Sequence, residues 1–303
     1  MTFLFRLLAA LLLAAPSPSA AAPLVVAWHR GVSGAGQAEN NAAVIRKAVA
    51  AGAAIVEIDL RRSADGAIVV MHDPTVDRTT DGKGAVAAMT LGELKRLDTG
   101  GGERILTLAE ALDLVAGSET RLLLDLKRGG GTDPEAIVAT ARAHRALDRL
   151  IFGVQSLEQL RAYRALAPDV PILALVRSIG EIEGFAVAGA SAIRLRPRWI
   201  FSARAGCGAG ARPPCLVRAL QGRGLTVWTT ADAPAHAAKA DAFFRRLIAA
   251  GVDAILTDRP RTPALIEATS PASSRSIGSR RKPGLLQAGF GTTTSEPSTK
   301  GKP

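Results

Sequence analysis

Glu57 and Asp59, two residues apart in the apolar run AIVEIDL (54–60), are the first side chains in this sequence with evident chemistry to offer. Side chains of a strand alternate faces with period two, so both acids lie on one face of a segment that otherwise asks to be buried. A second apolar run, AIVVMHD (67–73), ends in His72, and a third, RLLLDLK (121–127), ends in Asp125 and Lys127. The earliest run, LVVAWHR (24–30), ends in His29 and Arg30. Three carboxylates in a small volume repel one another, and a divalent cation is the simplest group that makes them tolerable. An all-oxygen donor set selects Ca2+ or Mg2+ over Zn2+. Histidines, with ordinary pKa values of about 6.5, pass protons at neutral pH, and Arg30 and Lys127 are suited to hold an anion such as phosphate. Cation, acid, base and anion clamp together describe phosphodiester cleavage.

The elements that must bring these residues together follow from the rhythm of the chain. Strand-like runs are expected at Leu24–His29, Ala54–Leu60, Arg121–Lys127, Leu150–Gln155, Pro171–Val176, Ser191–Arg196, Leu225–Thr230 and Val252–Thr257, with helical stretches between them such as Asn41–Ala51, Pro134–Leu147, Leu157–Leu166, Cys215–Gly222 and Ala237–Ala250. Eight strands each followed by a helix, over about 245 residues, predict an α/β fold of the (β/α)8 TIM-barrel class. The rival, a doubly wound open sheet, would carry a glycine-rich phosphate loop, and no GxGxxG or GxxxxGK[ST] follows any strand. After the second strand the rhythm breaks into a small insertion: a hairpin turning at Asp65 and Gly66, then the loop RTTDGKG (78–84). In a barrel, every ionisable residue named above would sit at the C-terminal edge of its strand, on the face where such folds keep their sites.

Each of these residues also has a bland reading, since a lone buried acid or histidine is more often a satisfied structural group than a catalyst. Two same-face acids in an apolar strand are harder to explain that way. By contrast Asp73 and Asp77 read as turn caps, Asp81 with Gly82 as a turn, His144 and His236 as solvated helix residues, and Arg61 and Arg62 as rim cover.

The ends differ in composition from the middle. Residues 1–22 combine Arg6, an apolar run and small residues around Ser19 and Ala21, the pattern of a signal peptide, so a secreted and specifically periplasmic protein is expected. The apolar run is shorter than the ~20 residues a spanning helix needs. Residues 270–303 read as a disordered basic tail with six basic residues against Glu296, leaving the domain at 23–269 with +5 of the formal +11. That mild excess suits an anionic substrate, and weak contact of the tail with an anionic envelope surface. Without a basic stripe interleaved with aromatics, nucleic acid is not expected as a partner. The two cysteines, Cys207 and Cys215, are placed to tighten one loop by a disulfide in an exported protein.

Several stretches taken in order resemble the glycerophosphodiester phosphodiesterase family: HRG at His29–Gly31, EN at Glu39 and Asn40, the run from Gly52 to Gly84, TLAEAL from Thr107, LLLDLK ending at Lys127 and GVDAILTDRP from Gly251. The resemblance implies a metal-dependent TIM-barrel hydrolase that converts a small-molecule glycerophosphodiester to an alcohol and sn-glycerol 3-phosphate. It implies His29 and His72 as the acid/base pair, Glu57, Asp59 and Asp125 as metal ligands, Arg30 and Lys127 as phosphate contacts and Trp228 as an apolar wall of the substrate site. Attack by a glycerol hydroxyl to give a cyclic phosphate, and direct attack by water, both stay open. The chain departs from the family pattern at Asp125, where many members carry the longer Glu, at Asn41 where the family has Thr, and after Trp228, where WTTAD lacks an Asn. A related barrel phosphodiesterase acting on lysophospholipids or sugar phosphodiesters is the alternative enzyme, and a non-catalytic phosphodiester-binding barrel the alternative of another class.

Overall fold

The computed structural model describes residues 23–32, 38–129, 131–202, 215–231 and 236–270. The β-branched and leucine-rich runs form nine strands: β1 (Val25–Trp28), β2 (Ile55–Arg62), β3 (Ile68–Val70), β4 (Arg121–Leu126), β5 (Leu150–Val154), β6 (Ile172–Ala174), β7 (Ala192–Leu195), β8 (Thr226–Thr230) and β9 (Ala254–Thr257). All but β3 are parallel and follow one another around a ring, β1-β2-β4-β5-β6-β7-β8-β9, which β9 closes by pairing with β1 from Val25↔Ala254 to Trp28↔Thr257. The chain is thus a closed eight-stranded parallel barrel wrapped by helices, as the strand count predicts. The helices are α1 (Ala42–Ala50), α2 (Leu91–Leu94), α3 (Leu108–Val115), α4 (Pro134–Ala143), α5 (Leu157–Leu166), α6 (Ile182–Val187), α7 (Pro197–Ile200), α8 (Cys215–Gly222), α9 (Ala237–Ala249) and α10 (Pro263–Thr269).

Parallel strands buried on both faces explain why these runs are apolar almost throughout. On β2, Val56, Ile58 and Leu60 join the cluster packed between sheet and helices, together with Ile45 and Ala48 of α1. Ile55 of the same strand belongs to a second cluster inside the barrel, with Leu123, Ile151, Leu173 and Trp228. Period two then fixes Glu57 and Asp59 on the interior side, two and four residues nearer the mouth than Ile55. Local signals set the helix starts: Asn41 caps α1 by accepting from the Val44 amide, so Asn at this position keeps the cap that Thr would give. Thr107 and Glu110 form a capping box at α3, and Ser156 caps α5.

The insertion is more substantial than its sequence signals suggest. β2 runs past the barrel rim to Arg62 and pairs with β3, Leu60↔Val70 and Arg62↔Ile68, across a turn in which Ser63 Oγ accepts from the Ala67 amide. Beyond it, Val69, Met71, Val76, Val86, Leu94 and Ile105 make a small core of their own, completed by α2, whose Thr90–Glu93 capping box the composition alone did not reveal. The leader, the tail from residue 271 onward and Cys207 lie outside the described residues. Cys215, at the start of α8, is disulfide-bonded. Among the described residues no helix is long and apolar enough to cross a membrane.

Gly153 shows how tightly the interior is filled beside the acids. It pairs with Asp125, and a Cβ built on it would stand 3.1 Å from the Leu124 carbonyl oxygen and 3.3 and 3.4 Å from Leu123 and Leu175 methyls. The carbonyl belongs to the strand backbone and cannot move aside. Gly153→Ala is expected to destabilise the fold by about 1–3 kcal/mol through overpacking, read as a lower urea midpoint; an unchanged midpoint would contradict this packing.

Candidate active site

At the end of β1 the backbone makes a tight turn, His29–Gly31, in which Arg30 (φ 53°, ψ 22°) and Gly31 (φ 74°) are both left-handed. Such a conformation is uncommon for a residue with a side chain and costs about 1–2 kcal/mol. Its result is specific: the Arg30 amide points at Glu57 and donates to Oε2 at 2.8 Å. Asn40 is left-handed too (φ 56°), and its carboxamide clasps Asp59 from two sides, Nδ2 donating to Oδ2 at 2.7 Å and Oδ1 accepting from the Asp59 amide at 3.2 Å. Gly31 cannot be exchanged cheaply, because a Cβ there would lie 3.0 Å from Val44 of α1.

Strand register brings the acids together. Glu57 pairs with Leu123 and Asp59 with Asp125 across β2 and β4, and one oxygen from each of Glu57, Asp59 and Asp125 falls within 4.8 Å of the other two. Lys127 Nζ stands between two of them, 2.5 Å from Asp59 Oδ1 and 2.5 Å from Asp125 Oδ2. Gln155 Nε2 donates to the other Asp125 oxygen at 2.8 Å. Burial alone would raise the pKa of Asp59, but Lys127 and the Asn40 hydrogen bond outweigh it and hold Asp59 below its ordinary value. Glu57 goes the other way, pushed well up by burial and by the charge of Asp59, with His29 and Lys127 only partly offsetting them. Glu57 is the carboxylate whose charge the protein's own cations do not balance. Three oxygen donors at this spacing, one of them under-compensated, fit a hard divalent cation.

Each histidine is backed by a carboxylate. His29 Nδ1 lies 2.6 Å from Asp258 Oδ1, which leaves Nε2 facing inward, 4.0 Å from Glu57. Burial lowers the pKa of His29, but the Asp258 hydrogen bond and the charge of Glu57 prevail and push it up to about 9. His72 Nδ1 lies 2.6 Å from Asp73 Oδ1. Asp73 in turn accepts from Arg78 Nε at 2.6 Å, Arg78 forks onto both oxygens of Glu39 at 2.7 and 2.9 Å, and Glu39 accepts from Arg30 at 3.0 and 3.1 Å. An unbroken chain of ion pairs therefore runs from the turn of β1 to the histidine on the insertion. Arg61 adds a second tether, with two guanidinium nitrogens 2.9 and 2.6 Å from the His72 carbonyl oxygen.

A cavity of about 270 Å3 opens on these groups at the C-terminal mouth of the barrel, lined by His29, Glu57, His72, Asp125, Lys127 and Gln155 on one side. Leu123, Leu175 and Leu256 also line it, as do Arg177, Arg194, Arg196 and Thr230. The remaining expected residues lie off the lining. Asp59 sits behind the lining, fully buried, within the carboxylate cluster. Arg30 does not line the cavity: its guanidinium is engaged by Glu39, with Nε 3.6 Å from Asp59, so it braces the acids from behind. Trp228 is also absent from the wall. It is 1% exposed, in the interior layer one step below Thr230, because two residues along a strand is one layer along the barrel. Asp73 and Arg61, read from the sequence as a turn cap and rim cover, instead hold His72. The sequence assigns no role to Asp258, Asn40 or Gln155, although Asp258 and Gln155 follow the rule that found the others, a polar residue where an apolar strand ends.

Residues 29–262 match the model of the glycerophosphoryl diester phosphodiesterase family. A glycerophosphodiester phosphodiesterase of Caldanaerobacter subterraneus subsp. tengcongensis is 32% identical over 252 residues, 79% of this chain and 95% of that protein. The crystal structure of glycerophosphodiester phosphodiesterase from Agrobacterium tumefaciens is similar with a TM-score of 0.65 at 26% identity, covering 80% of this chain and 99% of the other. An Oleispira antarctica phosphodiesterase solved in complex with the product sn-glycerol-3-phosphate is similar with a TM-score of 0.65 at 25% identity, covering 81% and 96%. The family model spans more than half of the chain, taking in the residues at the mouth from His29 to Asp258, and with the 32% identical relative it shows that the chain belongs to the glycerophosphoryl diester phosphodiesterase family and is an enzyme of the TIM-barrel class.

Proposed function

We propose that the protein hydrolyses glycerophosphodiesters to an alcohol and sn-glycerol 3-phosphate, with Ca2+ or Mg2+ held by Glu57, Asp59 and Asp125. The observation that carries this reading is that two carboxylate-backed histidines open on the same cavity as the acidic cluster. When bound, the cation supplies Lewis-acid stabilisation of the phosphoryl oxygens. Asp258 accepts from Nδ1–H of His29 and, with the charge of Glu57, stabilises the imidazolium, whose Nε2–H is the donor to the departing alcohol oxygen. His72, oriented by Asp73, takes the proton of the attacking hydroxyl, whether that belongs to glycerol or to water. Lys127 contributes positive charge beside the phosphoryl group, and Arg30 acts through Glu57 and Glu39 by fixing the acids. Trp228 supports the floor from below. Leucines at the base of the cavity limit the water around the reacting group and strengthen each of these interactions. A non-catalytic barrel would need no such proton-transfer pair.

We further propose export to the periplasm, directed by residues 1–22, and contact of the basic tail with anionic envelope surfaces. Both readings rest on sequence composition. Deleting the tail and finding unchanged fractionation would count against the second.

Turnover is expected to vanish with EDTA and return with Ca2+ or Mg2+, and Asp125→Asn should mainly weaken affinity for the cation; activity indifferent to chelation would overturn the metal-dependent scheme. His29→Ala and His72→Ala should each lower kcat by about a hundredfold or more on an alkyl diester. The two roles separate with a p-nitrophenyl diester, whose leaving group needs no proton: His29→Ala should then lose far less, and His72→Ala as much as before. Similar losses for both on both substrates would refute the division of labour. The ion-pair chain makes a different kind of prediction. Asp73 is held below its ordinary pKa by the Arg78 hydrogen bond despite desolvation, and Glu39 is held low by Arg78 and Arg30 against the opposing effect of burial. Their stabilisation is therefore complete above the ordinary carboxylate range of about 4 and lost as pH falls through the depressed folded values. Arg78→Met should slightly raise the pH at which the protein unfolds in acid and lower kcat more than it raises KM, whereas an unchanged kcat would show the chain to be inert.

A further inference from the structure

The half of the cavity wall that the chemistry leaves unused is cationic. Arg194 and Arg196 lie two residues apart at the end of β7, so both point inward by the alternation that aims Glu57 and Asp59. Arg177 joins them from the segment after β6. In the ring of eight strands, β7 is four places from β2 in either direction. The arginines therefore stand across the mouth from the carboxylates. The carboxylates that line the cavity, Glu57 and Asp125, belong to β2 and β4, so the β6–β7 side carries no acid among the described lining residues. Arg194 donates to Thr230 Oγ1 at 3.4 Å among its contacts, and Arg196 lies over the Trp199 ring at 5.7 Å. Arg177 and Arg196 place like charges beside one opening, and an anion between them lowers their repulsion and gains charge-assisted hydrogen bonds. No Trp, Tyr or Phe lines the cavity among the described residues, so the aromatic box that would welcome a quaternary ammonium is missing from this wall.

We propose that Arg177, Arg194 and Arg196 form an anion subsite for the alcohol portion of the substrate, so that the enzyme prefers glycerophosphodiesters whose alcohol carries a phosphate or carboxylate of its own. The inference rests on the phosphodiesterase reading above and adds to it the class of alcohol. With the scissile phosphate at the β2–β4 side, the alcohol extends toward β6 and β7, and its second negative charge meets the fork of the arginines. A cationic alcohol meets repulsion there.

The test compares kcat/KM at a saturating divalent cation for glycerophosphocholine, glycerophosphoglycerol, glycerophosphoglycerol bearing a terminal phosphate, and glycerophosphoglycolate. The two substrates with an anionic alcohol should exceed glycerophosphoglycerol by about tenfold or more, glycerophosphocholine should be slowest, and the advantage should shrink as salt is added. Which of the terminal-phosphate and glycolate substrates leads identifies the preferred anion. In the double variant Arg177→Gln/Arg196→Gln the ratio of anionic to neutral substrates should fall toward one, and lysine at both positions should restore part of it. Equal rates on all four substrates, a preference for choline, or a double variant that slows every substrate alike would overturn the subsite, the last because the arginines would then serve the shared phosphodiester. Absence of turnover on all four with any divalent cation would instead overturn the hydrolase reading itself.

Discussion

Gathering three carboxylates at the rim of a nearly dry barrel is the constraint on which the rest of the site depends. Unpaired, each buried charge would cost several kcal/mol, and the surroundings of Glu57, Asp59 and Asp125 offset part of that cost, with Glu57 left the least compensated of the three. Lys127 bridges Asp59 and Asp125, Asn40 clasps Asp59, and the Arg30 amide caps Glu57. Two side-chain-bearing residues adopt left-handed backbone to make this possible. Strain of this kind persists where surrounding structure over-determines it, and here the packing of Gly31 on α1 and the forked Arg30–Glu39 pair supply that support.

The same compensation explains why the insertion after β2 is part of the catalytic unit and not an ornament on it. His72 is on a segment with its own small core, and a proton carrier must be positioned to within a fraction of an ångström. Covalent continuity through β2 and β3 fixes the hairpin's register, and the Arg30–Glu39–Arg78–Asp73 chain with Arg61 fixes the histidine itself. The pairs with Arg78 are half-exposed and individually worth little. Their value is geometric, since each ties an element of the insertion to an element of the barrel.

Much of this was legible in the sequence because it depends on strand alternation and on the edge where strands end. The eight barrel strands, the shared face of Glu57 and Asp59 and the placement of His29, His72, Asp125 and Lys127 at the mouth follow from those two rules. What the sequence hid depends on partners that only the closed ring brings together. Asp258 is 229 residues from His29, yet β9 pairs with β1 and the two side chains meet. Arg30 looks like a phosphate ligand until the left-handed turn directs its guanidinium at Glu39. Trp228 looks like a substrate wall until the layer count puts it beneath Thr230, and the arginines of β6 and β7 gain meaning only when β7 is seen to face β2.

The central claim is that the three carboxylates form one cation site. It is tested most directly by anomalous diffraction from crystals of the protein soaked in Mn2+, a scattering substitute for Mg2+ or Ca2+. The account predicts one strong peak within coordination distance of Glu57, Asp59 and Asp125, lost in crystals of Asp59→Asn. No peak there, or an undiminished peak in the variant, would contradict it.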